Sequence, residues 1–158
     1  MKSPSNYVLL SIQSEHANRI YSGQKKAELR KSFTEHARIV FLYETAPVAA
    51  ITGAFLVRQA RKAAVSEAVE IAERYGVPKN RALEYYGERD SAWVITISSA
   101  VKFGQPIPLS DLRLRDHYFS VPQTFAYLNK YEGLTQGLLS VLCFHLESEL
   151  RLRRSEER

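Results

Sequence analysis

The chain has 158 residues, of which 45% are hydrophobic and 25% are charged, and its formal net charge is +5. A chain of this length and composition can bury a sizeable core, which excludes a mainly disordered protein and favours one domain spanning residues 1–158. No apolar run approaches the roughly 20 residues that span a bilayer, and residues 1–6 lack the apolar core of a signal peptide. We therefore expect a soluble cytoplasmic protein without a membrane partner.

The excess of basic residues favours polyanionic partners, because basic proteins gain free energy when counterions leave phosphate groups. Part of this charge lies in the C-terminal tail, where arginines alternate with glutamates, a pattern typical of a solvated helix that frays. The net charge is therefore only a loose indication of nucleic-acid binding.

Cys143 is the single cysteine, which excludes an internal disulfide and a cysteine-based zinc site. Its neighbours Leu142 and Phe144 are apolar, so the sequence predicts a buried structural thiol. The chain also lacks a cluster of metal-ligand residues and a glycine-rich phosphate loop. We accordingly predict neither a metal site nor a cofactor.

The first predicted elements are a strand over residues 7–12 and a helix over residues 15–22. Ser14 is the predicted N-cap of the helix, and Gly23 suits the left-handed position that follows its last turn. His16 falls on the side of the helix opposite to its apolar face. A lone histidine in that position is more often exposed than catalytic, and the same holds for the other three histidines.

A strand of alternating charges is predicted over residues 26–31. If this segment is extended, Lys26, Glu28 and Arg30 point to one face, and the three intervening residues point to the other. Lys25 joins the ionic face if the strand begins with a twist or bulge. The pattern alone is more typical of a solvated strand with surface ion pairs, and the alternative is a functional cleft where a lysine, a carboxylate and an arginine converge.

Two further strands are predicted over residues 38–44 and 48–58, separated by a turn at residues 45–47. Gly53 within the second strand indicates a bulge or a close backbone approach. The basic residues Arg58, Arg61 and Lys62 either flank a phosphate-binding groove or lie at a solvated junction.

The second half of the chain alternates between helices and one long strand. Two helices, from Ser66 as N-cap to about residue 75 and from Pro78 to Gly87, have the character of an insertion between strands. A strand over residues 92–103 places Trp93 in the core, and residues 105–111 form a connection with two prolines. Residues 121–125 lead into a helix reaching about residue 130. A final helix over residues 135–151 has an apolar stripe formed by Leu138, Leu139, Leu142 and Leu146.

The charged strand and its surroundings resemble the ASCH domain family of PUA-like proteins. The family signature GxKxxExR is matched at Gly23, Lys25, Glu28 and Arg30, and it follows a strand and a helix as in that family. The resemblance extends through Trp93 and residues 121–125, and it covers roughly residues 7–130. It implies an α+β fold with a PUA-like mixed β-barrel and flanking helices, and a domain that binds RNA or nucleotides.

On this interpretation, Lys25, Lys26, Arg30 and Arg58 contact phosphates or bases, and Glu28 orients the cations or accepts a base amine. Recognition of unstacked bases also needs aromatic surfaces. Tyr118 and Phe119, in a predicted loop after two arginines, are the best aromatic candidates. RNA and single-stranded DNA are not distinguished by this pattern, and no protein partner is identified.

The alternative hypothesis is an enzyme. The resemblance extends to small ASCH proteins that hydrolyse acylated cytidine with the motif lysine, a threonine and a separate glutamate. Lys25 occupies the lysine position, but Glu28 replaces the threonine and would stabilise the charged, less reactive lysine. Glu84 and Glu88 are both candidates for the separate carboxylate.

Two other functions remain open. A ribonuclease would use Lys25 and Glu28 for acid–base chemistry and Arg30 for phosphate stabilisation. A protein-interaction module would use the final leucine-rich helix, although its stripe is more simply explained as core. Binding of RNA or a modified nucleoside ranks first.

Overall fold

The computed structural model describes residues 5–158. The first four residues, which belong to the segment predicted to lack the apolar core of a signal peptide, lie outside this part of the chain. The described strands are β1 (Tyr7–Ile12), β2 (Ala27–Arg30), β3 (Ile39–Glu44), β4 (Ala50–Ala64), β5 (Ser91–Pro108) and β6 (Phe125–Tyr127). The described α-helices are α1 (Ser14–Tyr21), α2 (Val65–Arg74), α3 (Lys79–Tyr86), α4 (Leu109–Arg115) and α5 (Glu132–Glu156). A 3₁₀ turn, Leu128–Lys130, links β6 to α5.

The strands form one mixed sheet in the order β2-β5-β4-β3-β1-β6. Strands β1 and β3 pair in parallel, while the other neighbours pair antiparallel. Strands β4 and β5 are long, and register irregularities interrupt their pairing, which lets the sheet curve into a half-barrel. The predicted α+β class with flanking helices is thereby confirmed, and the predicted mixed β-barrel takes the form of a six-stranded half-barrel.

Both faces of the central sheet are buried, because successive side chains of a strand point to opposite faces. In β1, Leu9 enters a core shared with α4 and α5, whereas Val8 and Leu10 enter a core shared with α1. A third apolar cluster lies between α2, α3 and the adjoining ends of β4 and β5. Helices α1, α2 and α3 are thus fixed around the edge strand β2.

The two helices α2 and α3 form the predicted insertion between β4 and β5. The predicted N-caps are wrong in both cases where serine was proposed: Gln13 and Ala64 occupy the N-cap positions of α1 and α2, without a capping side-chain hydrogen bond. The helix ends agree better with prediction. Gly23, Gly76 and Gly87 follow the three helices with positive φ angles of 78°, 84° and 59°.

The structure corrects four predictions in the second half of the chain. Strand β5 continues through the proposed connection to Pro108 and leads directly into α4, while Phe125–Tyr127 pairs with β1 as a strand instead of beginning a helix. Helix α5 is longer than predicted at both ends. Trp93 is only half-buried and packs edge-on against Phe33.

The prediction of a buried Cys143 is wrong, because this residue is exposed. In α5, Leu134, Leu138 and Leu142 recur every four residues and are buried. A residue one position after Leu142 lies about 100° further around the helix, outside this stripe. No helix among the described residues combines the length and apolarity that crossing a bilayer requires.

Gly53 lies where β4 is irregular and where other groups approach its backbone closely, as both sequence-based interpretations of this glycine predicted. The pairing register of β4 with β5 shifts between Ile51 and Gly53. A Cβ atom at Gly53 would clash with the carbonyl oxygen of Val101 and would lie 2.7 Å from the hydroxyl of Tyr21. The position therefore excludes any side chain.

We predict that Gly53→Ala lowers the free energy of unfolding by about 1–3 kcal/mol, the usual cost of overpacking. Chemical denaturation followed by circular dichroism measures this change. Gly104→Ala is the matched control, because its Cβ would meet its nearest neighbour, Nε2 of His145, at an ordinary 3.7 Å. Equal stabilities of the two variants would contradict the proposed steric clash.

Candidate functional site

The turn between α1 and β2 directs Lys25 into the protein. Gly23 takes a left-handed conformation after α1, and the amide of Lys25 then donates to the carbonyl of Arg19 at 2.9 Å. This reversal brings Lys25 Nζ to 3.2 Å from Nδ1 of His16, near the start of the same helix. The irregular entry into the strand, and not the strand alternation itself, therefore places the lysine.

An ionic triad, formed by the buried Lys25 and Glu28 and the half-buried Arg30, is the chemical centre of this region. Lys25 Nζ donates to Oε2 of Glu28 at 2.9 Å, and Arg30 Nε donates to Oε1 at 3.0 Å. Arg30 Nη2 also donates to the carbonyl of Ser11 at 2.9 Å, which ties β2 to β1. Each carboxylate oxygen of Glu28 thus accepts from a different cation.

The triad is not a solvated surface cluster, although the sequence pattern alone favoured that interpretation. The relative exposure of Lys25 is 6% and that of Glu28 is 4%. Glu28 and Arg30 share one face as predicted, but Lys26 is exposed and takes no part in the triad. Lys25 replaces it because the chain turns before the strand begins.

The surrounding charges keep the carboxyl group of Glu28 ionised. Burial alone would raise the pKa of Glu28, but the charges of Arg30 and Lys25, with the hydrogen bond from Lys25, hold this pKa below its usual value. For His16, burial and the nearby Lys25 lower the pKa. A neutral His16 accepts a hydrogen bond from Lys25 Nζ at its Nδ1 atom, so the proton of the imidazole ring lies on Nε2.

A cavity of about 470 Å³ opens beside the triad, and we call it the motif cavity. Lys25, Glu28, Arg30 and His16 line one side. The opposite side comes from α2 and α3, through Ala72, Ala82, Tyr75, Arg81, Tyr85 and Tyr86. This combination of mainly apolar walls and a few convergent polar groups is typical of small-ligand sites, as is the size.

A second depression, which we call the basic groove, adjoins the motif cavity. Its volume is about 490 Å³, and its cationic lining residues are Lys25, Lys26, Arg58, Arg61 and Arg74. Lys25 lines both depressions. Arg61 is paired with Glu67 across the surface, while Lys26 and Arg58 are exposed.

The structure does not bring every candidate residue to these two depressions. Tyr118 is 90% exposed and lines neither of them. Glu84 and Glu88 are exposed and are likewise absent from both linings. Among the described residues no group of three or more His, Cys, Asp or Glu side chains is arranged to hold a metal ion.

Sequence reasoning missed most of the residues that line the motif cavity, among them His16 and Tyr86. His16 was expected to be exposed, but it is half-buried and contacts Lys25. Its spacing of nine residues from Lys25 gave no signal, since the contact depends on the turn at Gly23. Tyr86 comes from the inserted helices, whose position relative to the motif was not predictable from periodicity.

We predict that Glu28→Gln lowers the free energy of unfolding at pH 7 by about 3–5 kcal/mol, because it leaves two cations without their shared anion. The folded-state pKa of Glu28 is lowered, so its stabilisation is present above pH 4.5, the ordinary pKa, and is lost as the pH falls through the folded-state pKa. The difference in the free energy of unfolding between Glu28→Gln and the wild type therefore becomes smaller at acidic pH.

Urea denaturation at a series of pH values measures this difference. Glu149→Gln on the exposed part of α5 is the control and changes stability by less than about 0.5 kcal/mol. A Glu28→Gln variant as stable as wild type at pH 7 would contradict the ionic account.

Comparisons with known proteins agree with this architecture. Crystal structures of ASCH from Zymomonas mobilis and of a point variant match with TM-scores of 0.76. The first is 24% identical and covers 86% of this chain and 95% of that one, and the variant is 23% identical and covers 87% and 99%. The N-terminal domain of Staphylothermus marinus McrB is 9% identical, with a TM-score of 0.51 and coverage of 84% and 94%. These likenesses show the fold.

No curated protein gives a significant match to the sequence. The model of the ASCH domain family matches residues 10–104, which is more than half of the chain and includes the turn at Gly23 and the ionic triad. The chain therefore belongs to the ASCH domain family.

Proposed function

We propose that this protein binds single-stranded RNA and holds one base, or a modified form of it, in the motif cavity. The observation that carries this proposal is the pair of cations, Lys25 and Arg30, fixed by a buried carboxylate at the wall of a mainly apolar cavity. Apolar walls accommodate the flat faces of a base, and fixed donors select its polar edge.

The hydrogen-bond inventory of the triad favours a ligand rich in acceptors. Lys25 has three N–H donors, and its contacts with Glu28 and His16 occupy two of them. Glu28 already accepts one charged hydrogen bond at each oxygen. We therefore assign Lys25 and Arg30 to base or phosphate contacts, and Glu28 to orienting them.

The charge balance points in the same direction. Two cations and one carboxylate, beside a histidine whose pKa is lowered, leave an excess of one positive charge in the triad, and Arg81 raises the excess at the cavity wall to two. An anionic ligand compensates this excess. Fixed cations of this kind are strong partners for phosphate because their hydrogen bonds are assisted by charge.

The basic groove favours a polynucleotide over a free nucleotide. Because Lys25 lines both depressions, a strand with one base in the motif cavity can pass its phosphates along Lys26, Arg58 and Arg74. Such contacts to phosphates provide affinity without sequence preference. Lys26 and Arg58 thus keep the roles proposed for them from the sequence, whereas Tyr118 has no place in this binding mode.

The ionic triad favours binding over turnover. A lysine that acts as nucleophile or base must lose its proton, and Glu28 stabilises the protonated form. The two other carboxylates considered for an acylated-cytidine hydrolase, Glu84 and Glu88, lie outside the cavity lining. We therefore rank hydrolysis of RNA or of acylated cytidine below recognition.

We predict that Lys25→Met weakens binding of a short single-stranded RNA about tenfold or more, because charged hydrogen bonds contribute about 1.5–3 kcal/mol each. Fluorescence anisotropy measures the affinity, and circular dichroism verifies the fold. Arg153→Met in the exposed end of α5 is the control and retains wild-type affinity. Unchanged affinity of Lys25→Met would refute the proposed site.

The basic groove has its own test, which uses an exposed residue whose replacement leaves the core intact. Arg58→Met is expected to reduce the slope of log affinity against log salt by about one, because one phosphate contact is lost. The same titration on Arg153→Met gives the wild-type slope. Mass spectrometry of the incubated RNA, and of N-acylated cytidine, completes the test: products lost in Lys25→Met would establish an enzyme instead.

A further inference from the structure

Tyr86 has a hydroxyl group that the fold leaves without a partner. The residue ends α3, its relative exposure is 3%, and its ring lines the motif cavity. The hydroxyl is shielded from solvent and makes no hydrogen bond with the described residues. Because a buried polar group without a partner costs about 1–3 kcal/mol, this arrangement is unfavourable in the empty protein.

The surroundings of Tyr86 keep its hydroxyl protonated. Burial raises the pKa of Tyr86, and the nearby Tyr85 and Glu28 raise it further, while Arg30 acts in the opposite sense. The ring also packs edge-on against Tyr85, with the centroids 5.0 Å apart, which restricts its orientation. The hydroxyl therefore keeps a proton to donate, in the lining that Tyr86 shares with Glu28 and Arg30.

We propose that the Tyr86 hydroxyl is a specificity group that donates a hydrogen bond to a keto oxygen of the bound base. The inference rests on the proposed function and deepens it, since it names the class of base that the cavity selects. The hydroxyl finds no partner within the described fold and Tyr86 lines the cavity, so a group that enters the cavity is the partner available to it.

The preference for a keto base follows from the donors that surround the cavity. Lys25 and Arg30 offer N–H groups, and Tyr86 adds an O–H group, whereas Glu28 already accepts from two cations. Guanine presents O6 and a uracil-type base presents O4 as acceptors, where adenine and cytosine present amino groups. A keto oxygen accepts from the remaining N–H of Lys25 as well as from Tyr86, whereas an amino group placed there meets Lys25, which can only donate, and leaves that N–H unpaired; this mismatch is the stronger source of discrimination.

The test measures the affinities of four short homo-oligonucleotides, of U, G, C and A, for wild-type protein and for Tyr86→Phe. Wild type is expected to bind the keto oligomers at least about fivefold more tightly than their amino counterparts, and Tyr86→Phe is expected to lose most of this preference while retaining binding. Tyr7→Phe is the control, because Tyr7 lies on β1 outside both linings.

A ligand-free readout supports the same assignment. Removing a buried hydroxyl without a partner leaves the thermal midpoint unchanged or raises it by up to about 4 °C, whereas removing one that stabilises the fold lowers it. A lowered midpoint in Tyr86→Phe would overturn the inference, as would an unchanged base preference.

Failure of this inference and failure of the proposed function give different results. If wild type binds the oligomers but Tyr86→Phe keeps the wild-type preference, or if wild type prefers amino bases, Tyr86 is not the specificity group. If wild type binds no oligomer at all, the proposed function itself fails. If Tyr86→Phe alone loses the keto preference, the cavity selects its base through the inserted helices.

Discussion

The carboxylate of Glu28 is the constraint around which the site is arranged. It lies buried between Lys25 and Arg30, with one cation on each oxygen, and Arg30 carries the connection onward to the backbone of β1. Removing charges from water is costly, and apolar replacements of buried ion pairs are often equally stable or more stable. Stability alone therefore does not explain this triad. A role in fixing two cations at the wall of a cavity explains both its burial and its geometry.

The insertion of α2 and α3 turns this ionic wall into an enclosed site. These helices pack against the ends of β4 and β5 and supply the apolar and aromatic side of the motif cavity, including Tyr86. In the proposed binding mode, the sheet provides the cations that contact an anion or acceptor, whereas the insertion provides Tyr86, the proposed group that discriminates among ligands. The basic groove shares Lys25 with the motif cavity and adds Lys26, Arg58 and Arg74 to the same positive surface.

Local sequence signals predicted the features that depend on the backbone conformation of a few neighbouring residues. The turn at Gly23, the alternation of Glu28 and Arg30, and the closeness of the backbone at Gly53 were all readable, because each depends on conformational freedom or strand periodicity. The sequence predicts too early an end for β5, because a proline such as Pro106 normally interrupts a strand. In the structure, Pro106 lies between the paired residues Lys102 and Ile107, where the register is irregular and no ladder hydrogen bond is needed. The burial of the triad and the contact with His16 depend on tertiary packing, which no local pattern encodes.

A crystal structure of the protein with a bound oligouridine tests the central claim most directly, because it locates the ligand without relying on altered variants. The account predicts one base inside the motif cavity, an acceptor atom of the ligand within hydrogen-bond distance of Lys25 Nζ, and the adjoining phosphates over Arg58. A ligand bound elsewhere, for example along the basic end of α5, with the motif cavity empty, would contradict it.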